Sequence, residues 1–497
     1  MAARVKTITA PVGGWDVRSA LADMPEDRAS LLDNWFPGVG RVDVRNGYSS
    51  YATGLGGTVE TLAEFINGPV RKFIAGANNK IWNITAAGAG SDITNGMTIT
   101  NDRWQTANMD GKMGLVNGAD APLEIAADGV TVSTMTLSGG MTAANVIGIN
   151  VFSGRSYFWE DNSQSFWYSA VNALGGACTE FDLSRVGQFG GKLLAMGTWT
   201  RDGGSGVNDL AAFFMTSGEV LVYNGTNPSD FTMVGVFKIG APVSIRGVIK
   251  LAGDLIVITK DGYIPLESVI KSGRLGDTGT LSNQINPAVT DAVTQFGSNF
   301  GWECFHYPRG NMLMFNVPLS ANTKHQHVFN TNTGAPTRFL NINASTWSLY
   351  NDKAYFGSTG GVVYLFDDGF DDNGSSIDCD AIPANTYLDS KANQKLVTAV
   401  QAVASSDGAL ALSLKTEPDY KTPTVGYNSI VFAGGEADWD TATWDVSPWS
   451  SGNNITDNWV SMGAFGYSFQ TRVRLRTKGQ AVNWYSLNYM YEPAGLV

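Results

Sequence analysis

The chain has no apolar run that approaches the ~18 residues a membrane-spanning helix needs. Met1 to Pro11 carries Arg4 and Lys6 but lacks the apolar centre of a secretory signal. No membrane span is expected, and synthesis and folding in a cytoplasm are. Cysteine is scarce: Cys178, Cys304 and Cys379 are odd in number, widely spaced and outside any C-x-x-C arrangement. That excludes a disulfide framework and a thiolate metal cluster, and leaves reduced core residues. Histidine is equally rare, at His306, His325 and His327. On a strand, His325 and His327 would share one face, which is half of a metal site, but no third ligand stands close by. A solvated strand edge is the expected setting, with no metal or cofactor.

Basic residues are also few. With 33 Lys and Arg against 45 Asp and Glu, the formal charge is −12. A general phosphate-binding surface depends on clustered cations, so sequence-specific reading of DNA is not expected. Acidity could serve solubility alone, or let a polyanion slide past without sticking. Catalytic motifs are missing too. The chain has no Walker A loop and no G-x-S-x-G elbow, and Gly187-Gln188-Phe189-Gly190-Gly191 is merely Gly-rich. The run Asp367-Asp368-Gly369-Phe370-Asp371-Asp372-Asn373-Gly374 crowds carboxylates into one loop, but with Gly374 as the sixth position of an EF-hand the first ligand would be Gly369. It reads as an acidic turn. Carboxylate pairs of a glycosidase need show no sequence spacing, yet repeated Ser-x-Asp-x-Gly turns of the sialidase kind are absent. No catalytic residue is assigned, and a non-enzymatic protein is expected.

What is present is a recurring hairpin: a short apolar strand, a Gly, Asn or Asp turn, and an aromatic-rich return. Copies begin at Phe73, Met113, Val151, Phe213, Leu255, Met312 and Ala354, separated by 40, 38, 62, 42, 57 and 42 residues. Four-stranded propeller blades repeat at roughly 40–50 residues, and insertions account for the longer intervals. Gly at 58 residues and charged residues at only 16% suit short strands and tight turns. The fold class is therefore all-β, with a β-propeller core of six or seven blades. At 497 residues the chain also exceeds the ~250–300 at which one core usually stops growing. At least one further domain is expected.

The flanks differ from the repeats. Residues 1–50 form an expected N-terminal arm with one short helix, because Asp23-Met24-Pro25-Glu26-Asp27 before Arg28-Ala29-Ser30-Leu31-Leu32 has Pro and carboxylates in a first turn. Trp15, Trp35 and Phe36 are the candidates for docking a partner there, although an arm could equally wrap its own ring. Arg41 to Tyr48 alternates as a strand ending in an Asn-Gly turn. Residues 51–380 hold the propeller, with a short helix expected over Asn286 to Gly297 and a flexible excursion over Thr200 to Gly206.

Residues 381–497 are expected to form a β-sandwich-like platform domain in which Thr471 to Leu475 would pair through Lys478-Gly479 with Val482 to Leu487. An acidic, Trp-studded segment with Glu436, Asp438, Trp439, Asp440, Trp444 and Trp449 lies within it. Packing beneath a loop and an interaction surface are both open for that segment.

Several stretches carry a resemblance. Thr9-Ala10-Pro11-Val12-Gly13-Gly14-Trp15-Asp16, Met24-Pro25, Ala29-Ser30-Leu31-Leu32-Asp33-Asn34-Trp35-Phe36-Pro37 and Arg45-Asn46-Gly47-Tyr48 resemble the tail nozzle, tail tubular or tail hub proteins of short-tailed bacteriophages. Ser345-Thr346-Trp347-Ser348, Ala354-Tyr355-Phe356-Gly357-Ser358 and Gly361-Val362-Val363-Tyr364 are similar to the last propeller blade of that group. The resemblance implies a structural virion protein made in the host cytoplasm, six copies of which form a tube below portal and adaptor. Its implied partners are the adaptor, tail fibre or spike proteins, and genomic DNA passing without sequence-specific binding. Acidic residues facing that lumen would repel phosphates, and the candidates are Asp367, Asp368, Asp371, Asp372, Glu436, Asp438 and Asp440. The alternative is a carbohydrate-binding or carbohydrate-active propeller with Trp439, Trp444 and Trp449 as stacking platforms. A receptor-binding fibre is a third reading, but fibres show elongated trimeric repeats that this chain lacks.

Overall fold

The computed structural model describes residues 3–202, 207–272, 279–408, 410–427, 430–432, 454–455 and 458–494. Strands dominate throughout, and the protein is all-β. Each hairpin found in the sequence falls in a different blade of a seven-bladed propeller. Blade 1 is built from Val59–Asn67, Val70–Ala77, Lys80–Asn83 and Ser91–Asp92. Blade 2 comprises Gln105–Met109, Lys112–Val116, Leu123–Ile125 and Val132–Thr134, and blade 3 comprises Val146–Phe152, Arg155–Glu160, Ser165–Tyr168 and Thr179–Asp182. Blade 4 is formed by Leu193–Asp202, Val207–Met215, Glu219–Asn224 and Thr232–Lys238. The first strands pack against one another from blade to blade, and Thr346–Tyr350 of the last blade packs against Val59–Asn67 of the first. The ring closes on itself.

Blade 5 has three strands, Val248–Leu251, Asp254–Thr259 and Gly262–Pro265, after which helix α1 (Leu266–Ser272) and helix α2 (Asn286–Phe296) precede blade 6. Helix α2 lies where Pro287 and Gly297 placed it, and the insertion explains one of the long intervals between hairpins. Blade 6 contains Glu303–Tyr307, Met312–Pro318, Lys324–Asn330 and Pro336–Phe339. Blade 7 contains Thr346–Tyr350, Lys353–Gly357 and Val363–Phe366, and its outer strand is Tyr48–Thr53 from the other end of the chain. Ring closure thus joins residues about three hundred positions apart in sequence by antiparallel pairing, which resists opening the ring.

The first fifty residues are not a separate arm. Arg4–Thr9 pairs with Val482–Pro493, and Trp35–Pro37 and Val42–Val44 extend the same sheet, which Lys395–Ser406 continues. The helix expected after Asp23 is a strand, Arg28–Asp33, preceded by a turn in which the Arg28 N–H donates to the Pro25 carbonyl at 3.1 Å. Ala29 and Leu32 are fully buried and the strand pairs with Ile377–Pro383, so long-range pairing overrides a local helix signal.

The platform is a sandwich, but its pairing differs from the sequence expectation. Phe469–Thr477 and Val482–Pro493 do not pair with each other; the first pairs with Ile377–Pro383 and Leu410–Pro418, the second with Lys395–Ser406 on the opposite sheet. Val473, Leu475, Leu487 and Tyr489 are buried in one core, so the turn through Gly479 (φ +70°) carries the chain across the sandwich, with both strands facing inward. Lys395–Ser406 and Leu410–Pro418 are likewise on opposite sheets.

Propeller and platform share a sheet. The outer strand of blade 6, Pro336–Phe339, meets Arg28–Asp33 through a parallel bridge between Asp33 and Arg338, which continues through Ile377–Pro383 into a ten-stranded sheet. A single hydrophobic cluster runs from Tyr263, Phe315 and Phe329 in the blades to Trp35, Val473 and Trp484 in the sandwich. The two units are one packed body.

Candidate functional site: the mouth of the propeller axis

The chemistry-bearing cluster of the described residues lies at the axis, where the blades' first strands begin. Ser244 and Gly247 close a tight turn before blade 5: the Gly247 N–H donates to the Ser244 carbonyl at 3.0 Å and the Arg246 N–H to the Ser244 hydroxyl at 3.1 Å. This turn aims Arg246 inward. One guanidinium nitrogen donates to the Glu60 carbonyl at 2.8 Å and the Thr346 hydroxyl at 3.3 Å. The other donates to the Thr61 hydroxyl at 3.1 Å and the Trp104 carbonyl at 2.8 Å. The Arg246 carbonyl accepts from the Cys304 N–H at 3.0 Å. One side chain from the threshold of blade 5 therefore ties blades 1, 2 and 7, while its backbone ties blade 6. Arg246 thus bridges blades across the axis at this level.

Around it stand four more charged groups. Arg103 faces Glu60 with Nε–oxygen distances of 3.2 and 3.3 Å, and its guanidinium lies 4.2 Å from the Phe300 ring centre. Arg246 approaches the same ring at 5.4 Å, so the phenyl group is engaged by two cations. Glu303 accepts from the Trp347 N–H at 3.0 Å; burial pushes its carboxyl up while Arg246 pulls it down. Lys324 begins the third strand of blade 6 and is only 4% exposed. Its ammonium donates to the Ala321 carbonyl at 2.5 Å and lies 3.4 Å from the Ser345 hydroxyl. Burial lowers its pKa and nearby Glu60 partly restores it. Above this floor is a cavity of about 640 Å³, walled by the residues preceding the first strands and by the loops that contain Phe300 and Ser320.

The sequence did not single out Arg103, Arg246 or Lys324. The available signal is local, a cation in the turn before an apolar first strand; which blades it would bridge depends on ring closure.

The acidic loop after Val363–Phe366 lies beside the outer strand of blade 7, away from the axis. Asp372 is buried and receives two bonds from Arg45, at 2.8 and 2.7 Å, so it is a structural counter-ion rather than a surface charge. Asp367 accepts from Asn46 at 2.8 Å and Tyr307 at 3.2 Å, and burial raises its pKa. Asp368 accepts from Ser49 at 2.5 Å and Asp371 from the Gly374 N–H at 2.6 Å. Asp368 is exposed and Asp371 half-buried. Glu436, Asp438 and Asp440, with Trp439, Trp444 and Trp449, lie outside the described residues.

Trp15 and Trp35 are buried, at 4% and 0% exposure, and are core residues rather than docking groups. Trp15 packs edge-on against His327 at 5.4 Å and beneath Arg338 at 5.2 Å, while Trp35 meets Trp484 at 5.5 Å. Phe36 is half-buried against Phe339 at 6.2 Å.

His325 and His327 do share one face, but it is the buried one. Their Nε2 atoms are 3.2 Å apart, and Nδ1 of His327 is 2.7 Å from the Tyr263 hydroxyl. One neutral arrangement satisfies both contacts: Tyr263 donates to Nδ1 of His327, whose Nε2–H donates to His325. Among the described residues no group of three or more His, Cys, Asp or Glu could hold a metal. The three cysteines are free and buried.

No family model matches the chain, and no curated protein does. Among solved structures it is similar to BBS1N in complex with ARL6DN, at 7% identity over 65% of this chain and 98% of that one, with a TM-score of 0.43. It is also similar to YCF48 bound to D1 peptide, at 11% identity over 65% and 95% of the two chains and a TM-score of 0.39. The computationally designed Ika8 protein matches at 10% identity over 64% and 99%, with a TM-score of 0.37. The seven closed blades, not these distant likenesses, establish the propeller.

Proposed function

We propose that this chain is a non-enzymatic structural subunit of a short-tailed phage tail nozzle, six copies of which surround a DNA conduit below the adaptor. The observation that carries the proposal is the sheet that runs without a break from blade 6 into the platform. A shared sheet and core make the two units behave as one rigid wall element, as a tube under load requires. Arg246 hydrogen-bonds across the propeller's own axis, so in this reading DNA passes between subunits. The net charge of −12 suits a wall that phosphates slide past. Adaptor and fibre or spike proteins would dock at the ends of the ring.

The test is the solution mass of the purified full chain, with negative-stain class averages, alone and with the adaptor from the same genome. A six-membered ring with a central opening under either condition is expected. A chain that stays monomeric in both overturns the reading.

A further inference from the structure

We propose that the cavity at the propeller mouth is a binding site for a small, hydroxyl-rich carboxylate of the sugar-acid class, held by Lys324. The inference is independent of ring assembly, because every group it uses lies in one chain.

The charge of the ligand follows from the groups beneath it. Lys324, Arg103 and Arg246 face Glu60 and Glu303, a formal count of one positive charge in a chain whose formal total is −12. Among the described residues, Lys324 has no carboxylate within salt-bridge distance. An ammonium group has three N–H donors. Protein atoms accept two of them, one at 3.4 Å, and the third has no acceptor among the described residues. A buried cation with a spare donor in a cavity wall favours one anionic oxygen group.

The lining sets the rest of the ligand. Thr58, Ser298 and Asn322 present hydroxyls and an amide, beside Ser244 and Ser320, whose hydroxyls already accept backbone N–H groups, and Asn299, whose amide donates to the Pro318 and Leu319 carbonyls; Val243, Phe300 and Ala321 are the apolar side chains of the wall. Polar side chains outnumber apolar ones in the lining, which favours a polar ligand. Phe300 is engaged by Arg103 and Arg246, so its ring is a poor platform for a nucleobase. One uncompensated charge is also too few for a polyphosphate. The volume of about 640 Å³ lies within the ordinary range for small-molecule sites and leaves room for one or two sugar rings.

The experiment is calorimetric titration of the full chain with D-glucuronate, against D-glucose, acetate and inorganic phosphate. Glucuronate should saturate the site and bind at least about tenfold tighter than glucose or acetate. Lys324→Met should reduce it to the level of glucose. Ser298→Trp, at an exposed position on the rim, should block the site without touching the buried cation, so it remains informative if Lys324→Met fails to fold. Equal binding of glucose, preference for phosphate, no saturation below about 10 mM, or affinity unchanged in both variants would each overturn the assignment.

Discussion

Arg246 donates to the carbonyl of Trp104 at 2.8 Å, although 142 residues separate them in sequence. The contact spans the propeller axis from the threshold of blade 5 to that of blade 2. It exists only because the ring is closed.

Arg246→Met should therefore loosen several blades together. It removes the bonds to Glu60, Thr61, Trp104 and Thr346 and leaves the half-buried Glu303 without its cation. A loss of about 2–4 kcal/mol is expected, and Glu303→Gln in the same chain should recover part of it. Urea unfolding of the two variants measures this. An unchanged midpoint for Arg246→Met would contradict the bridging role.

Asp372 and Asp371 should part company on substitution. Asp372 pairs with Arg45 at 2.7 Å, with side chains 5% and 0% exposed, and Arg45 also reaches Asn34 and the Leu340 carbonyl. Asp372→Asn strands a buried guanidinium and should cost about 3–5 kcal/mol. Asp371→Asn, in the same loop, should stay within about 0.5 kcal/mol. Thermal unfolding of both decides whether this loop serves the fold or the surface.

Gly47 sits where the chain leaves the platform for blade 7. A Cβ there would meet the Asp371 carbonyl oxygen at 1.8 Å, an impossible approach. Gly47→Ala should cost more than about 3 kcal/mol, whereas Gly54→Ala, with open space around it but φ at +81°, should cost about 1–2 kcal/mol from backbone strain. Comparable losses from the two would show that the crossover yields.

Acid should weaken the junction of blade 6 and platform. Burial holds the His325 pKa down at about 3 and that of His327 well below its ordinary 6.5, with Arg338 adding to both. The unfolded chain takes up these protons near pH 6.5, while the folded chain does not. Their contribution is thus intact above pH 6.5 and declines as pH falls toward 3, by up to about 1.4 kcal/mol per pH unit for each ring. His325→Gln should flatten the stability profile across that window. A profile as steep as the parent's would assign the acid sensitivity to carboxylates instead.

Legibility followed the range of the interactions. The seven hairpins were visible because strand, turn and return lie within a few residues and alternate in register; helix α2 was visible because Pro287 and Gly297 punctuate it. Asp23 to Leu32 misled for the complementary reason. Its local composition favours a helix, but Ala29 and Leu32 gain more by pairing with Ile377–Pro383. His325 and His327 alternated as a strand should, yet whether their shared face meets water or Tyr263 depends on packing from blade 5.

By itself, then, the sequence determined an all-β chain with a propeller of six or seven blades, since hairpin formation depends on period and turn chemistry within each unit; the closed ring sets the number at seven. Only the tertiary structure decided that the N-terminal residues build the platform, that its last two strands face each other across a core, and that Arg103, Arg246 and Lys324 meet at one mouth. Those outcomes depend on which apolar faces bury one another and on where ring closure places the ends of the blades. Neither quantity is local to any stretch of chain.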